Sequence, residues 1–157
     1  MTQPPSSTAD PNLLRSWLFW AWIGALVAAL GSLFFSEVMK LPPCTLCWYQ
    51  RICLYPLVVL LPIGILRGDA RVHLYALPLV VIGLCIAVYH NLLYYGVIPQ
   101  ALSPCTAGAA CNARQIDWLG FIGIPLLGLG AFVFLLVTLL VHGKTSGKMS
   151  GQAGAST

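Results

Sequence analysis

Apolar residues gather in four long runs, at residues 17–35, 47–66, 73–95 and 119–141, and polar or charged residues gather between them. At about 1.5 Å per residue, runs of this length cross the roughly 30 Å of hydrocarbon in a bilayer as helices. The first run is too long for a signal peptide, ends in the bulky Leu33-Phe34-Phe35 and follows a single Arg15, so it reads as a retained span. Residues 1–16, rich in Pro, Ser and Thr, and residues 142–157, rich in Gly, Ser and Lys, read as flexible tails.

The connections are short. Residues 36–43 carry Glu37 and Lys40, and Arg67-Gly68-Asp69-Ala70-Arg71 is a tight charged turn. Residues 96–118 form the longest loop and hold Pro99, Pro104, Cys105, Cys111, Arg114 and Asp117. Pro56, Pro62, Pro78 and Pro125 lie within the runs, where a packed bundle tolerates them as kinks. The pattern predicts an all-α membrane protein, a four-transmembrane-helix bundle, as one domain over residues 1–157.

Composition strengthens that reading. The 157 residues are 59% hydrophobic and 8% charged, with a mean hydropathy of +0.86, whereas a soluble domain carries about 25% charged residues. The net charge of +4 makes no clustered basic face, so a nucleic-acid partner is not expected. Arg15, Arg67, Arg71, Lys144 and Lys148 fall on one side of the predicted membrane, against Lys40 and Arg114 on the other. The excess places both tails and the 67–71 turn in the cytoplasm. Trp17, Trp48 and Trp118 near the span ends fit an interfacial aromatic belt.

That orientation puts Cys44, Cys47, Cys105 and Cys111 on the outer face, where disulfides form and persist. The run Pro42-Pro43-Cys44-Thr45-Leu46-Cys47-Trp48-Tyr49-Gln50-Arg51 starts a helix with two thiols in its first turn. At roughly 100° per residue, Cys44, Cys47 and Arg51 share an arc of about 60°, with Arg51 about 6 Å deeper than Cys47. A helix N-terminus and a guanidinium both favour thiolate, the species that attacks in disulfide exchange. An arginine inside a span is costly and marks function, although snorkelling to the headgroups would also account for it.

Two plainer readings stand beside a redox pair: static disulfides, or a four-cysteine zinc site. Cys-x-x-Cys closes too small a ring to stabilise much chain, and the 105–111 spacing is loose for a zinc knuckle, so no metal is expected. His90 lies roughly 7–8 Å below the outer end of the third span. It reads as a ligand-binding residue or as a histidine bonded within the bundle. His73 and His142 fall at cytoplasmic boundaries and read as interfacial. Cys53 and Cys85 read as packing residues, and Arg114 and Asp117 as a pair that positions Cys111.

Cys44-Thr45-Leu46-Cys47-Trp48-Tyr49-Gln50-Arg51 resembles the signature of the bacterial disulfide bond formation protein B (DsbB) family. Cys111-Asn112-Ala113-Arg114-Gln115-Ile116-Asp117-Trp118-Leu119-Gly120, followed by Phe121-Ile122-Gly123-Ile124-Pro125, is similar to a second family segment. Only five residues separate Cys105 from Cys111, as in the short-second-loop branch.

The resemblance implies a thiol oxidase of the bacterial cytoplasmic (inner) membrane with its active cysteines on the extracytoplasmic face. A DsbA-like, thioredoxin-fold partner would pass electrons to Cys105 and Cys111, then to Cys44 and Cys47, then to a membrane quinone (ubiquinone or menaquinone). Cys105 would form the mixed disulfide with the partner, Cys111 would exchange with Cys44, and Cys47 would meet the quinone as thiolate. Arg51, and His90 beside it, would hold a quinone carbonyl. The vitamin K epoxide reductase type has analogous chemistry in a four-helix core, but the short second loop and the placement of Arg51 fit DsbB better.

Overall fold

The computed structural model describes residues 11–69, 71–99 and 123–153, with side chains described between Arg15 and Ser146. Helix α1 spans Pro11–Leu33 and runs into a π-helical turn, Phe34–Val38; α2 spans Thr45–Arg67, α3 Val72–Tyr94 and α4 Ile124–Ala153. Within them Arg15–Val38, Thr45–Arg67, Val72–Tyr94 and Ile124–Ser146 are long and apolar enough to cross a membrane. The chain is therefore a multi-pass, four-helix membrane protein.

Three boundaries differ from the sequence reading. Helix α1 already includes Pro11, inside the stretch expected to be a tail. Helix α4 begins at Ile124 and not at residue 119, so Pro125 occupies its first turn and makes no mid-span kink. The same helix runs to Ala153, through most of the stretch expected to be a C-terminal tail. Polar Ser and Lys residues cost a helix little once a long apolar segment has nucleated it.

Each helix packs on its chain neighbours, and α4 closes the ring against α1. The inward faces alternate small and large residues. Ala21, Ala25 and Ala29 of α1 and Ala76, Val80 and Ala87 of α3 surround Leu57, Leu61, Phe132, Leu135 and Leu139. Lipid supplies no hydrophobic drive between helices, so close approach at small residues does much of the work. Gly83 is one such point: a Cβ there would overlap the ring of buried Phe132 on α4. Ile52, Val59, Leu74, Ile82 and Val137 face outward, as lipid-facing positions should.

Proline creates one inter-helix tie. Pro62 has no N–H to give the carbonyl of Val58 one turn earlier, and Trp22 Nε1 of α1 donates to that carbonyl at 3.2 Å. At the C-terminal end of α2, Gly68 takes the left-handed conformation (φ 64°), and its N–H caps the carbonyls of Gly64 and Ile65. The Asp69 carboxylate accepts from the Arg71 N–H at 2.8 Å, closing the expected tight turn. Near the other membrane face, Lys40 at φ 55° reverses the chain after the π-turn. Pro42 and Pro43 then hold the residues before them extended, so α2 cannot start until Cys44 has passed.

Gly83→Ala is expected to destabilise the bundle by about 1–3 kcal/mol through overpacking against Phe132. Adding Phe132→Leu should recover part of that loss. Detergent-titrated unfolding of the two single variants and the double variant would read this coupling.

Candidate functional site

The site grows from the start of α2. Cys44 is its N-cap (φ −73°, ψ 167°), and its Sγ accepts from the Cys47 N–H at 3.3 Å. The sulfur thus fills the role that serine or aspartate usually has at this position. The two sulfurs lie 2.9 Å apart, and both cysteines are free thiols. The Cys47 thiol, also turned towards Cys44, is the principal cause that draws the Cys44 thiol well below its ordinary range; His90 adds to this, and burial opposes it. In the reduced pair the first thiolate therefore sits on Cys44.

His90 of α3 is buried, with 2% of its surface exposed. Its Nε2 lies 3.7 Å from Cys44 Sγ, and Gln50 Nε2 lies 3.2 Å from its Nδ1. An amide NH₂ only donates, so Nδ1 accepts and Nε2 carries the hydrogen that faces the sulfur. Gln50 of α2 is itself confined: a Cβ on Gly128 of α4 would come within 2.7 Å of its Oε1. Glycine at 128 leaves Gln50 the space in which it orients His90.

Arg51 is 7% exposed and does not reach for the headgroups. Its Nε donates to Ser32 Oγ at 2.7 Å, and one terminal nitrogen donates to the Ser32 carbonyl at 2.7 Å and to Ser36 Oγ at 3.1 Å. The guanidinium also lies 5.3 Å from the centre of the Trp48 ring, at cation–π distance. Among the described residues its hydrogen-bond partners are neutral and no carboxylate pairs with it, and these bonds fix its orientation. Among the described residues the second terminal nitrogen, Nη1, meets no acceptor, which leaves its two N–H donors for another group.

These groups border one cavity of about 560 Å³ between α1, α2, α3 and α4. Cys44, Cys47, Gln50, Arg51 and His90 line its polar end; Gly24, Val27, Leu127 and Phe134 are among the apolar residues that line the rest. It is a slot between apolar helices with thiols, an imidazole and a fixed cation at one end. That combination suits a ligand with a planar polar head and an apolar body.

The structure therefore brings together Cys44, Cys47, Arg51 and His90. Cys105 and Cys111 lie outside the described residues, as do Arg114, Asp117 and Trp118. Cys53 is buried among core residues as expected. Cys85 is exposed on the outer surface of α3 and does not pack inside the bundle, because its turn of α3 faces away from the neighbouring helices. His142 is not interfacial: it is 1% exposed and edge-on to His73, with ring centroids 5.5 Å apart. The continuation of α4 carries it inward.

Sequence reasoning missed Gln50, Ser32 and Ser36. Gln50 stood in the Cys44–Arg51 signature, next to Arg51, and that adjacency was the available signal. Ser32 and Ser36, one turn apart in an apolar run, are the kind of intramembrane polar residues that seek a partner.

Four apolar helices holding a Cys-x-x-Cys pair at a membrane-facing slot define a membrane protein of thiol–disulfide chemistry. The family model described as "Disulfide bond formation protein DsbB" matches residues 14–142. The chain belongs to the DsbB family of disulfide bond formation proteins. It is 45% identical over 130 residues to "Disulfide bond formation protein C" of Bacillus subtilis (strain 168), covering 82% of this chain and 94% of that protein. It is 44% identical over 142 residues to "Probable disulfide formation protein" of Metapseudomonas resinovorans, covering 90% and 95%. "Probable disulfide formation protein C 1" of Bacillus anthracis is 45% identical over 125 residues, covering 76% and 86%. No solved structure gives a significant match.

The lowered Cys44 thiol gives a pH signature. An ordinary thiol, with a pKa near 8.5, loses about tenfold in thiolate per pH unit below that value. A depressed thiol stays ionised until the pH falls through its own lower pKa. Iodoacetamide labelling of Cys44 in reduced protein should therefore change little between pH 8 and pH 6, measured by mass spectrometry. In Cys47→Ala, which lacks the donor thiol, labelling should fall steeply over the same window.

Proposed function

We propose that this chain is a quinone-dependent protein-disulfide oxidoreductase that re-oxidises a DsbA-like, thioredoxin-fold partner on the extracytoplasmic side of a bacterial cytoplasmic membrane. The observation that carries the reading is the shared cavity: a reactive thiol pair and a buried arginine at the head of an apolar slot. A quinone fits that lining, with Arg51 as donor to a carbonyl oxygen, His90 beside its polar head and α1 and α4 flanking its apolar tail. When bound, it supplies a two-electron, two-proton acceptor. Over the whole reaction a partner dithiol becomes a disulfide, and quinone becomes quinol.

The residues of the chain then divide the work. Cys105 takes the mixed disulfide with the partner and passes the electrons to Cys111, the roles that match the family's second cysteine pair. Cys111 exchanges with Cys44, whose position at the N-cap leaves it at the end of α2 and within reach of a loop. Once Cys44 is bonded to Cys111, Cys47 is the remaining thiol. Cys47 and Arg51, one turn apart on α2, line the same cavity, which favours Cys47 as the group that delivers electrons into the slot. Arg51 also opposes the negative charge that develops on a carbonyl oxygen, and a cation pre-set by Ser32 needs no reorganisation to do so. His90, hydrogen-bearing at Nε2, faces Cys44 and stabilises the thiolate that leaves when the 44–111 bond breaks.

The test uses reduced, full-length protein in detergent, with one equivalent of quinone added anaerobically. Two thiols should disappear for each quinone reduced. The rate should fall about 10²-fold in Arg51→Gln, the scale for losing one preorganised charge-stabilising donor, and Cys47→Ser should abolish it. Thiols that survive an excess of quinone would overturn the proposal and leave static disulfides or a four-cysteine metal site.

A further inference from the structure

Two cysteines and a buried histidine converge in a way that thiol exchange alone does not require. Cys44 Sγ, Cys47 Sγ and a His90 ring nitrogen all lie within 4.8 Å of one another. We propose that, in the reduced protein, these three side chains form a binding site for a thiophilic divalent cation such as Zn²⁺, which holds the pair as dithiolate and withdraws it from disulfide exchange. The site differs from a four-cysteine arrangement in using neither Cys105 nor Cys111.

The geometry is near what the ion asks for. Zinc–sulfur bonds of about 2.3 Å and zinc–nitrogen bonds of about 2.0–2.1 Å in a tetrahedron set S···S near ~3.8 Å and S···N near ~3.6 Å. Cys44 Sγ and His90 Nε2 already lie 3.7 Å apart. The two sulfurs, at 2.9 Å, need to open by less than about 1 Å, within reach of a side-chain rotation. Both cysteines and the histidine line the cavity, which leaves a fourth coordination position facing open space, the arrangement of three protein ligands plus a small molecule.

Charge and hydrogen bonding agree. Two thiolates cancel a divalent charge, and a neutral complex is the least costly one at a membrane boundary. The opposing cation, Arg51, is turned onto Ser32 and Ser36 of α1. Coordination through Nε2 requires the imidazole hydrogen to sit on Nδ1. Gln50, which now gives its NH₂ to Nδ1, can turn its amide by half a revolution and accept with its carbonyl. Such outer partners fix the tautomer of ligating histidines.

The reaction moves no electrons: M²⁺ binds the Cys44 thiolate and displaces the proton of the Cys47 thiol, which is released. Oxidation to the 44–47 disulfide removes both thiolates and expels the ion, so occupancy follows the redox state. The site requires only that the pair can be reduced. It stands or falls separately from quinone as the electron acceptor.

The experiment takes full-length Cys105→Ser/Cys111→Ser protein in detergent, reduced and desalted anaerobically, and titrates it with Zn²⁺ against a chromophoric chelator. One zinc per chain is expected, with none after oxidation or alkylation. His90→Leu should weaken binding at least tenfold, and His90→Cys should restore it. No uptake by the reduced protein, or equal affinity in His90→Leu, would overturn the site, the latter by showing a bare dithiol chelating zinc. If His90→Leu does not fold, zinc-edge X-ray absorption on the parent double-serine protein decides. Two sulfurs and one imidazole nitrogen support the site, and a shell without the nitrogen refutes it.

Discussion

A buried arginine with neutral partners organises this end of the molecule. Moving a guanidinium into a bundle this apolar is expensive, and the cost is offset by hydrogen bonds from Nε and one terminal nitrogen to Ser32 and Ser36 of α1. The contact works in two directions. It ties α1 to α2 beside the cysteines, and it fixes where the remaining Nη1 donors and the positive charge lie. The π-turn at Phe34–Val38 follows at once, and such turns recur at functional sites. Here Ser32 O, besides receiving Arg51, also lies 3.3 Å from Ser36 Oγ.

The rest of the site depends on that anchor and on one helix start. Prolines 42 and 43 make α2 begin abruptly, so Cys44 becomes a cap, and Cys47 follows one turn later. A cap sulfur sits at the edge of the bundle with its thiolate stabilised from within, by the Cys47 thiol and amide and by His90. Gln50 fixes the histidine, and Gly128 gives Gln50 room. Rigid helices thus hold one cysteine pair, while the other belongs to the connection between α3 and α4.

Much of this was legible in the residues. Four apolar runs gave four helices, because spans of this length have few alternatives in lipid. Cys44, Cys47 and Arg51 share a face because helical periodicity requires it. The boundaries were less legible. Hydropathy cannot see that α1 takes in residues from Pro11, well before the apolar run begins, or that α4 carries Ser and Lys residues on beyond the membrane segment. It also placed Pro125 mid-span, when proline is comfortable in a first turn. His142 and Cys85 exchanged the settings expected of them, buried for interfacial and exposed for packed, because rotation about a helix axis depends on neighbours. Helices that are apolar on every side do not announce which face turns inward. The partners of Arg51 and His90 come from packing between elements, which no local pattern encodes.

The central claim is that the slot beside Arg51, between α1 and α4, receives the electron acceptor. A photoactivatable quinone, cross-linked in the detergent-solubilised protein and mapped by peptide mass spectrometry, tests it most directly. Adducts should fall on cavity-lining residues of α1 and α4 such as Val27 and Leu127, disappear under competition from unlabelled quinone, and weaken in Arg51→Gln. Adducts confined to the outward faces, or indifferent to both competitor and Arg51, would contradict it.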